Sequence, residues 1–267
     1  MIRRIRRVLA IAVLTVTAGA LASCASGPLQ GSERGTAYED SAIEAIDRRG
    51  RKVRLTPRSA ILVAFRSWRR KNYGDAIRLA NHAIKSGQLQ PRGLSLAYFV
   101  RGLAHHSTNR FSAASADYTA SVRNDPTNHL AYHSRGLVRS VQNDNLGAIA
   151  DLNAAIQIRP TFTSHYVRGL VNLRLRRIDE AYSDASAVLS MRPDRYHGYY
   201  LRGLTHHFRG QRRLAASDYR RALEINPRHK GARRALRIVG RGRPGPPIAP
   251  RQRPDVRLLP ISATVAD

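Results

Sequence analysis

The stretch HLAYHSRGLVRSVQNDNLGAIADLNAAIQIRP, residues 129–160, decides how this chain is read, because its landmarks recur at a fixed period on either side. Its Arg135-Gly136 pair returns as Arg101-Gly102, Arg168-Gly169 and Arg202-Gly203, at spacings of 34, 33 and 34 residues. Alanine recurs at Ala114, Ala148, Ala181 and Ala215, and an aspartate follows three places on at Asp117, Asp151, Asp184 and Asp218. A proline closes each unit, at Pro126, Pro160, Pro193 and Pro227. Glycine inside a helix costs about 1 kcal/mol against alanine. Four glycines at one phase therefore mark a backbone contact that no side chain would permit.

This pattern resembles the tetratricopeptide repeat, a helix-turn-helix of about 34 residues with small residues where its helices cross. The resemblance implies an all-α fold: an α-solenoid of tetratricopeptide helix-turn-helix repeats with a C-terminal capping helix. Four good copies span residues 95–128, 129–161, 162–195 and 196–229, and Lys230 to Val239 starts another first helix without its partner, as a solenoid cap does. A degenerate copy precedes them over residues 57–94, with Asn72-Tyr73-Gly74-Asp75-Ala76-Ile77 leading into Ala80 and Ala83. Its first helix is expected to begin at Pro57 behind a Thr56 cap. A four-residue insertion around Pro91-Arg92-Gly93 separates it from the next copy. Within each copy the resemblance sets the glycine of helix A against the alanine of helix B. The arginine before each glycine and the aspartate of helix B read as a charge pair, or alternatively as two independent surface charges. The degenerate copy holds Val63 and Leu79 at those two places and has lost both charges together.

The resemblance also implies where a partner would bind. The A helices would line a concave face, with their second, fifth, ninth and twelfth positions pointing inward. The ninth is leucine throughout, Leu103, Leu137, Leu170 and Leu204. The fifth is Phe99, His133, Tyr166 and Tyr200, and the twelfth is His106, Ser140, Leu173 and His207. Such a lining expects an extended or helical protein segment held through apolar side chains. It lacks the Asn and Lys with which some members clamp a terminal carboxylate. The rival reading packs the leucines between neighbouring A helices. Metal is not expected, because adjacent residues such as His105-His106 and His206-His207 point about 100° apart on a helix. No zinc-binding spacing supports a site.

At the other end, four arginines (Arg3, Arg4, Arg6, Arg7), an apolar run and small residues make Met1 to Ser23 a three-part secretory signal. The single cysteine of the chain, Cys24, follows Leu21-Ala22-Ser23. That tetrapeptide resembles the lipobox of bacterial lipoproteins, which implies acylation of Cys24 and a lipid anchor to the membrane facing the periplasm. Ala25 rather than aspartate after the cysteine favours the outer membrane. The alternative is ordinary signal cleavage near Ala22. Residues 24–36 read as a flexible tether, 37–56 as an N-terminal helix (Tyr38 to Arg48) and linker, and 240–267 as a disordered tail rich in proline and arginine.

Composition bounds the rest. The chain has 267 residues with 46 basic and 18 acidic side chains, a formal net charge of +28, and only 6% aromatics. One cysteine excludes an internal disulfide. No nucleophile elbow, phosphate-binding loop or dinucleotide fingerprint is present, so no enzyme and no cofactor are expected. The leading expectation is an envelope adaptor docking proteins. A second is a binder of anionic lipid or lipopolysaccharide through its arginines, and a third a cytosolic RNA-binding or scaffolding protein.

Overall fold

The protein is described by a computed structural model covering residues 44–46 and 52–240. Strand β1 (Glu44–Ile46) pairs antiparallel with β2 (Lys52–Arg54), Ala45 opposite Val53. The helix expected over Tyr38 to Arg48 is thus replaced by strand at its described residues. An isolated helix of that length is marginal in water, whereas the ladder satisfies backbone groups of two segments at once. Cys24, the tether and the tail beyond Gly240 lie outside the described residues.

Helices then alternate as A and B members of successive hairpins: α1 (Pro57–Arg69) with α2 (Tyr73–Lys85), α3 (Pro91–Ser107) with α4 (Phe111–Asn124), and α5 (His129–Val141) with α6 (Asn145–Ile158). They continue as α7 (Phe162–Arg174) with α8 (Ile178–Met191), α9 (Tyr196–Phe208) with α10 (Arg212–Ile225), and the unpaired α11 (Lys230–Gly240). Thr56 caps α1 as expected, its hydroxyl accepting the Ser59 N–H at 3.2 Å. The insertion before the first good copy is not a loop. Pro91 sits in the first turn of α3, so residues 91–94 lengthen that helix at its N-terminus.

Every A helix ends the same way. Lys71, Asn109, Asn143, Arg176 and Gly210 adopt left-handed φ values of 58° to 75°. The next residue's N–H then reaches back five residues, as Asn72 to Ser67 and Gln211 to His206, both at 2.9 Å. This closure satisfies the last carbonyls of the helix and turns the chain directly into helix B.

Inside each hairpin the arginine–aspartate pair is real and buried. Asp117, Asp151, Asp184 and Asp218 are all buried. Each accepts two arginine nitrogens: Arg135 donates Nε–H at 2.9 Å and Nη2–H at 2.7 Å to Asp151, and Arg202 does so at 2.9 and 2.8 Å to Asp218. The reading as independent surface charges is therefore excluded. A second polar side chain stands four residues after each arginine and faces the carboxylate: Arg139 and Asn172 donate to it at 3.0 and 3.2 Å, and the His105 and His206 rings lie 3.8 Å away. The third arginine nitrogen reaches back to helix B of the preceding copy, Arg101 to Asn81 at 2.6 Å, Arg135 to Thr119 at 3.1 Å and Arg168 to Asn153 at 2.8 Å. In the degenerate copy Leu79 is buried with Val63 packed against the same apolar cluster, so a hydrocarbon contact replaces the ion pair.

The expected partner of the repeating glycine needs correction. A methyl on Gly136 would meet Leu152 at 3.0 Å and Asp151 Cβ at 3.3 Å, with the Ala148 carbonyl oxygen at 3.2 Å. On Gly203 it would meet the Tyr219 ring at 2.7 Å and Asp218 Cβ at 3.2 Å. The facing residues are thus the aspartate and the residue after it, not the alanine side chain. Where that next residue is small, Ala185, the space against Gly169 is filled by Leu201 of the following helix.

Each A helix touches the next A helix, whereas successive B helices make at most marginal contact. The A layer is therefore the inner one, and the solenoid curves around it.

Two measurements test this packing. A double-mutant cycle on Arg135→Ala and Asp151→Ala should return a coupling of about 1.5 kcal/mol or more, above the roughly 0–1 kcal/mol of an exposed pair. Chemical denaturation of Gly203→Ala should show a loss of about 1–3 kcal/mol from overpacking, although alanine is the better helix former.

Candidate functional site

The inner face is the place to look for binding, and most of the side chains expected to line it are consumed by the solenoid itself. Leu137 is 7% exposed, Tyr166 5%, Leu170 and His207 1%, and Tyr200 and Leu204 not at all. Phe99, Ser140 and Leu173 are likewise buried. Of the expected lining, only Leu103, His106 and His133 are half-buried. The reading that packs the ninth-position leucines between helices is the one the structure supports for Leu137, Leu170 and Leu204.

The cause is visible at the fifth position, where the start of each following A helix covers the side chain. Tyr166 meets the His197 ring edge-on at 4.9 Å. Tyr200 meets His229 at 4.5 Å, and a Cβ added at Gly231 would lie 2.7 Å from its hydroxyl oxygen. Tyr196 stacks on His197 at 4.0 Å and also contacts His229 at 4.6 Å. His207, at the twelfth position, is enclosed with its Nδ1 3.5 Å from the Tyr219 hydroxyl. The C-terminal half of the inner face is thus an interleaved stack of tyrosine and histidine sealed by α11.

The N-terminal half is more open. Leu103 and His106 of α3 and His129 and His133 of α5 are all half-buried there. His106 packs against Phe111 at 5.8 Å, and His133 Nδ1 lies 3.0 Å from the Ser164 hydroxyl. Burial pulls the His133 pKa down to about 4, and its neighbours His129 and His106 add to the effect. His106 and His129 are also lowered, chiefly by burial. These imidazoles are neutral at pH 7 and offer hydrogen-bonding edges beside an apolar leucine. His129 was missed in the sequence because it stands at the helix start, outside the positions carried over. Among the described residues no group of three or more His, Cys, Asp or Glu is arranged to hold a metal ion. No described helix is long and apolar enough to cross a membrane.

Comparison with known proteins agrees with this architecture. The tetratricopeptide repeat family model matches residues 96–128 and 196–229, which fall on the α3–α4 and α9–α10 hairpins. No curated protein matches the chain. Among solved structures, YrrB, a tetratricopeptide protein described as having an unusual peptide-binding site, is 19% identical with a TM-score of 0.56, covering 67% of this chain and 91% of its own. MamA from Desulfovibrio magneticus RS-1 is 14% identical with a TM-score of 0.57, covering 70% and 99%. A thermophilic tetratricopeptide protein of Thermus thermophilus is 17% identical with a TM-score of 0.52, covering 69% and 98%. At these identities the likeness is one of fold: this chain is an α-solenoid of tetratricopeptide hairpins.

The buried histidines make stability depend on acid. Burial lowers His133, His197 and His229 to about 4 from an ordinary 6.5. Between those values the unfolded chain binds protons that the folded chain refuses, so stability is complete above about pH 6.5 and is lost as pH falls toward 4. Each such proton steepens the dependence by about 1.4 kcal/mol per pH unit. Melting temperatures followed from pH 7 to 5 should fall, and His197→Phe should flatten the slope by about one proton.

Proposed function

We propose that this protein is a lipid-anchored adaptor of a bacterial cell envelope, tied to the periplasmic face of the outer membrane through Cys24. It docks a partner protein on the open N-terminal half of its inner face. The observation that carries the docking reading is the asymmetry of that face. Leu103, His106 and His133 remain partly exposed on α3 and α5, whereas the equivalent places on α7 and α9 (Leu170 and Leu204, Leu173 and His207, Tyr166 and Tyr200) are buried. A partner segment with apolar side chains and a few hydrogen-bonding groups suits neutral imidazoles beside leucine. The anchor rests on Leu21-Ala22-Ser23-Cys24 behind the basic and apolar leader. Two or more acyl chains hold a protein stably where one does not. Catalysis has no part in this reading.

Tyr166 and Tyr200 are unsuitable as binding-site mutations, because each lies in the core and its loss costs folding. A photo-crosslinking residue at position 106 or 133 is the direct probe. In native envelopes it should trap one or a few discrete proteins, and the same residue at exposed Ser186 on α8 should not. Equal trapping at all three sites would refute docking on the inner face. For the anchor, Cys24→Ser should release the chain from membranes washed in high salt, and full retention after that wash would refute acylation as the tether.

A further inference from the structure

The arginine excess gathers at the two ends of the solenoid: α1 and α2 expose Arg58, Arg66, Arg69, Arg78 and Lys85, and the C-terminal end carries a second cluster. Within the helix spans, α4 exposes a single cation, Arg123, and α6 and α8 expose none. Helix α10 exposes Arg213, Arg220 and Arg221, and α11 exposes Lys230, Arg233, Arg234 and Arg237. Opposing them on these two helices is one exposed acid, Glu224, which is occupied by Arg221 at 2.7 Å. Among the described residues Arg213, Arg220, Lys230 and Arg237 have no carboxylate partner.

The α11 cations fall at positions 230, 233, 234 and 237, the i, i+3, i+4, i+7 spacing of one helix face. Ala232, Ala235 and Val239 form the opposite, buried face. The outer face of α11 is therefore a straight strip of cations about 10 Å long.

Two of these charges stand where they harm the helix that carries them. Lys230 opens α11, Arg213 lies in the first turn of α10, and neither first turn holds an acid. A helix N-terminus bears partial positive charge and is stabilised by anions, so cations there are unfavourable. Charges kept against a local rule point to a role outside the fold. Leu214, 52% exposed, stands beside Arg213 in the chain, and the chain continues from Gly240 with Arg241, Arg243, Arg251, Arg253 and Arg257.

We infer that the α10–α11 end of the solenoid is a docking face for an anionic lipid surface, its guanidinium groups pairing with headgroup phosphates. Arginine presents a planar fork that matches phosphate oxygens two at a time. A straight cationic strip, with Leu214 exposed on the neighbouring α10, suits a flat array of phosphates better than an acidic peptide, which would need a cleft. The inference goes beyond the adaptor reading and does not depend on acylation. It places a second, salt-sensitive membrane contact at the end of the chain remote from Cys24.

The test uses the full-length chain carrying Cys24→Ser, so that no acyl chain contributes. Cosedimentation is measured with phosphatidylcholine vesicles that contain either no charged lipid or roughly a third phosphatidylglycerol. The chain should prefer anionic vesicles and lose the preference between about 0.1 and 0.5 M salt. The variant R213E/R220E/K230E/R237E should lose on the order of a hundredfold or more in affinity for anionic vesicles. The double variant R213E/K230E should melt at an equal or higher temperature, because both changes suit the helix dipoles, and still lose about tenfold or more. Unchanged anionic-vesicle binding by the double variant would overturn the inference. So would tighter binding of soluble polyglutamate than of the vesicles, which would assign the face to an acidic chain.

Discussion

A carboxylate withdrawn from water in each good repeat is the constraint on which the rest of this molecule depends. A buried charge must be paired, and removing one partner of such a pair is strongly destabilising. Asp117, Asp151, Asp184 and Asp218 are each met by a forked arginine from helix A, and Asp151 and Asp184 also by a second donor one turn further on. This fixes the crossing of the two helices within a repeat. The same arginine spends a third nitrogen on the preceding helix B in three of the four copies. One guanidinium thereby ties a hairpin together and ties it to its neighbour. The degenerate first copy closes its hairpin with Val63 and Leu79 at those places, so there a hydrocarbon contact stands in for the ion pair.

The close crossing that the pair enforces explains the glycines, and the curvature explains the fate of the inner face. With the A helices on the inside and in mutual contact, side chains at the fifth and ninth positions meet the next A helix before they meet solvent. Aromatic rings from the beginning of α9 and from His229 then fill what would be the groove over α7 and α9. Toward the N-terminus His106 holds the twelfth position of α3 and His133 the fifth of α5, and the covering residue at His133 is only a serine. The open part of the surface is therefore a consequence of smaller neighbours. The same enclosure holds several histidines neutral and makes the fold sensitive to acid.

Charge is distributed on a different principle. Five arginines, Arg101, Arg135, Arg139, Arg168 and Arg202, are committed to buried carboxylates, α4, α6 and α8 expose only Arg123, and the exposed excess gathers at the two ends of the solenoid, on α1 and α2 and on α10 and α11. A genome-wide preference for arginine codons would not separate charges in this way. Lys230 and Arg213 oppose the dipoles of their own helices, which makes the accumulation at that end harder to ascribe to folding.

Much of this was open to reading from residue order alone. The period, the Arg–Asp pairing and the Thr56 cap follow from local chemistry, namely recurrence, capping and the need of opposite charges to find each other, and the hairpin fold from the family resemblance that the period carries. The second polar neighbour of each aspartate was also available, since His105, Arg139, Asn172 and His206 recur at one phase, but their differing chemistry hid them. Only the tertiary structure decided which inward positions stay accessible, that Glu44–Ile46 are strand, and that glycine faces the aspartate and its successor. Accessibility depends on how far the next repeat rotates over the last and on which rings it brings along. That rotation is set by contacts some 30 residues apart, which no pattern within a single repeat encodes.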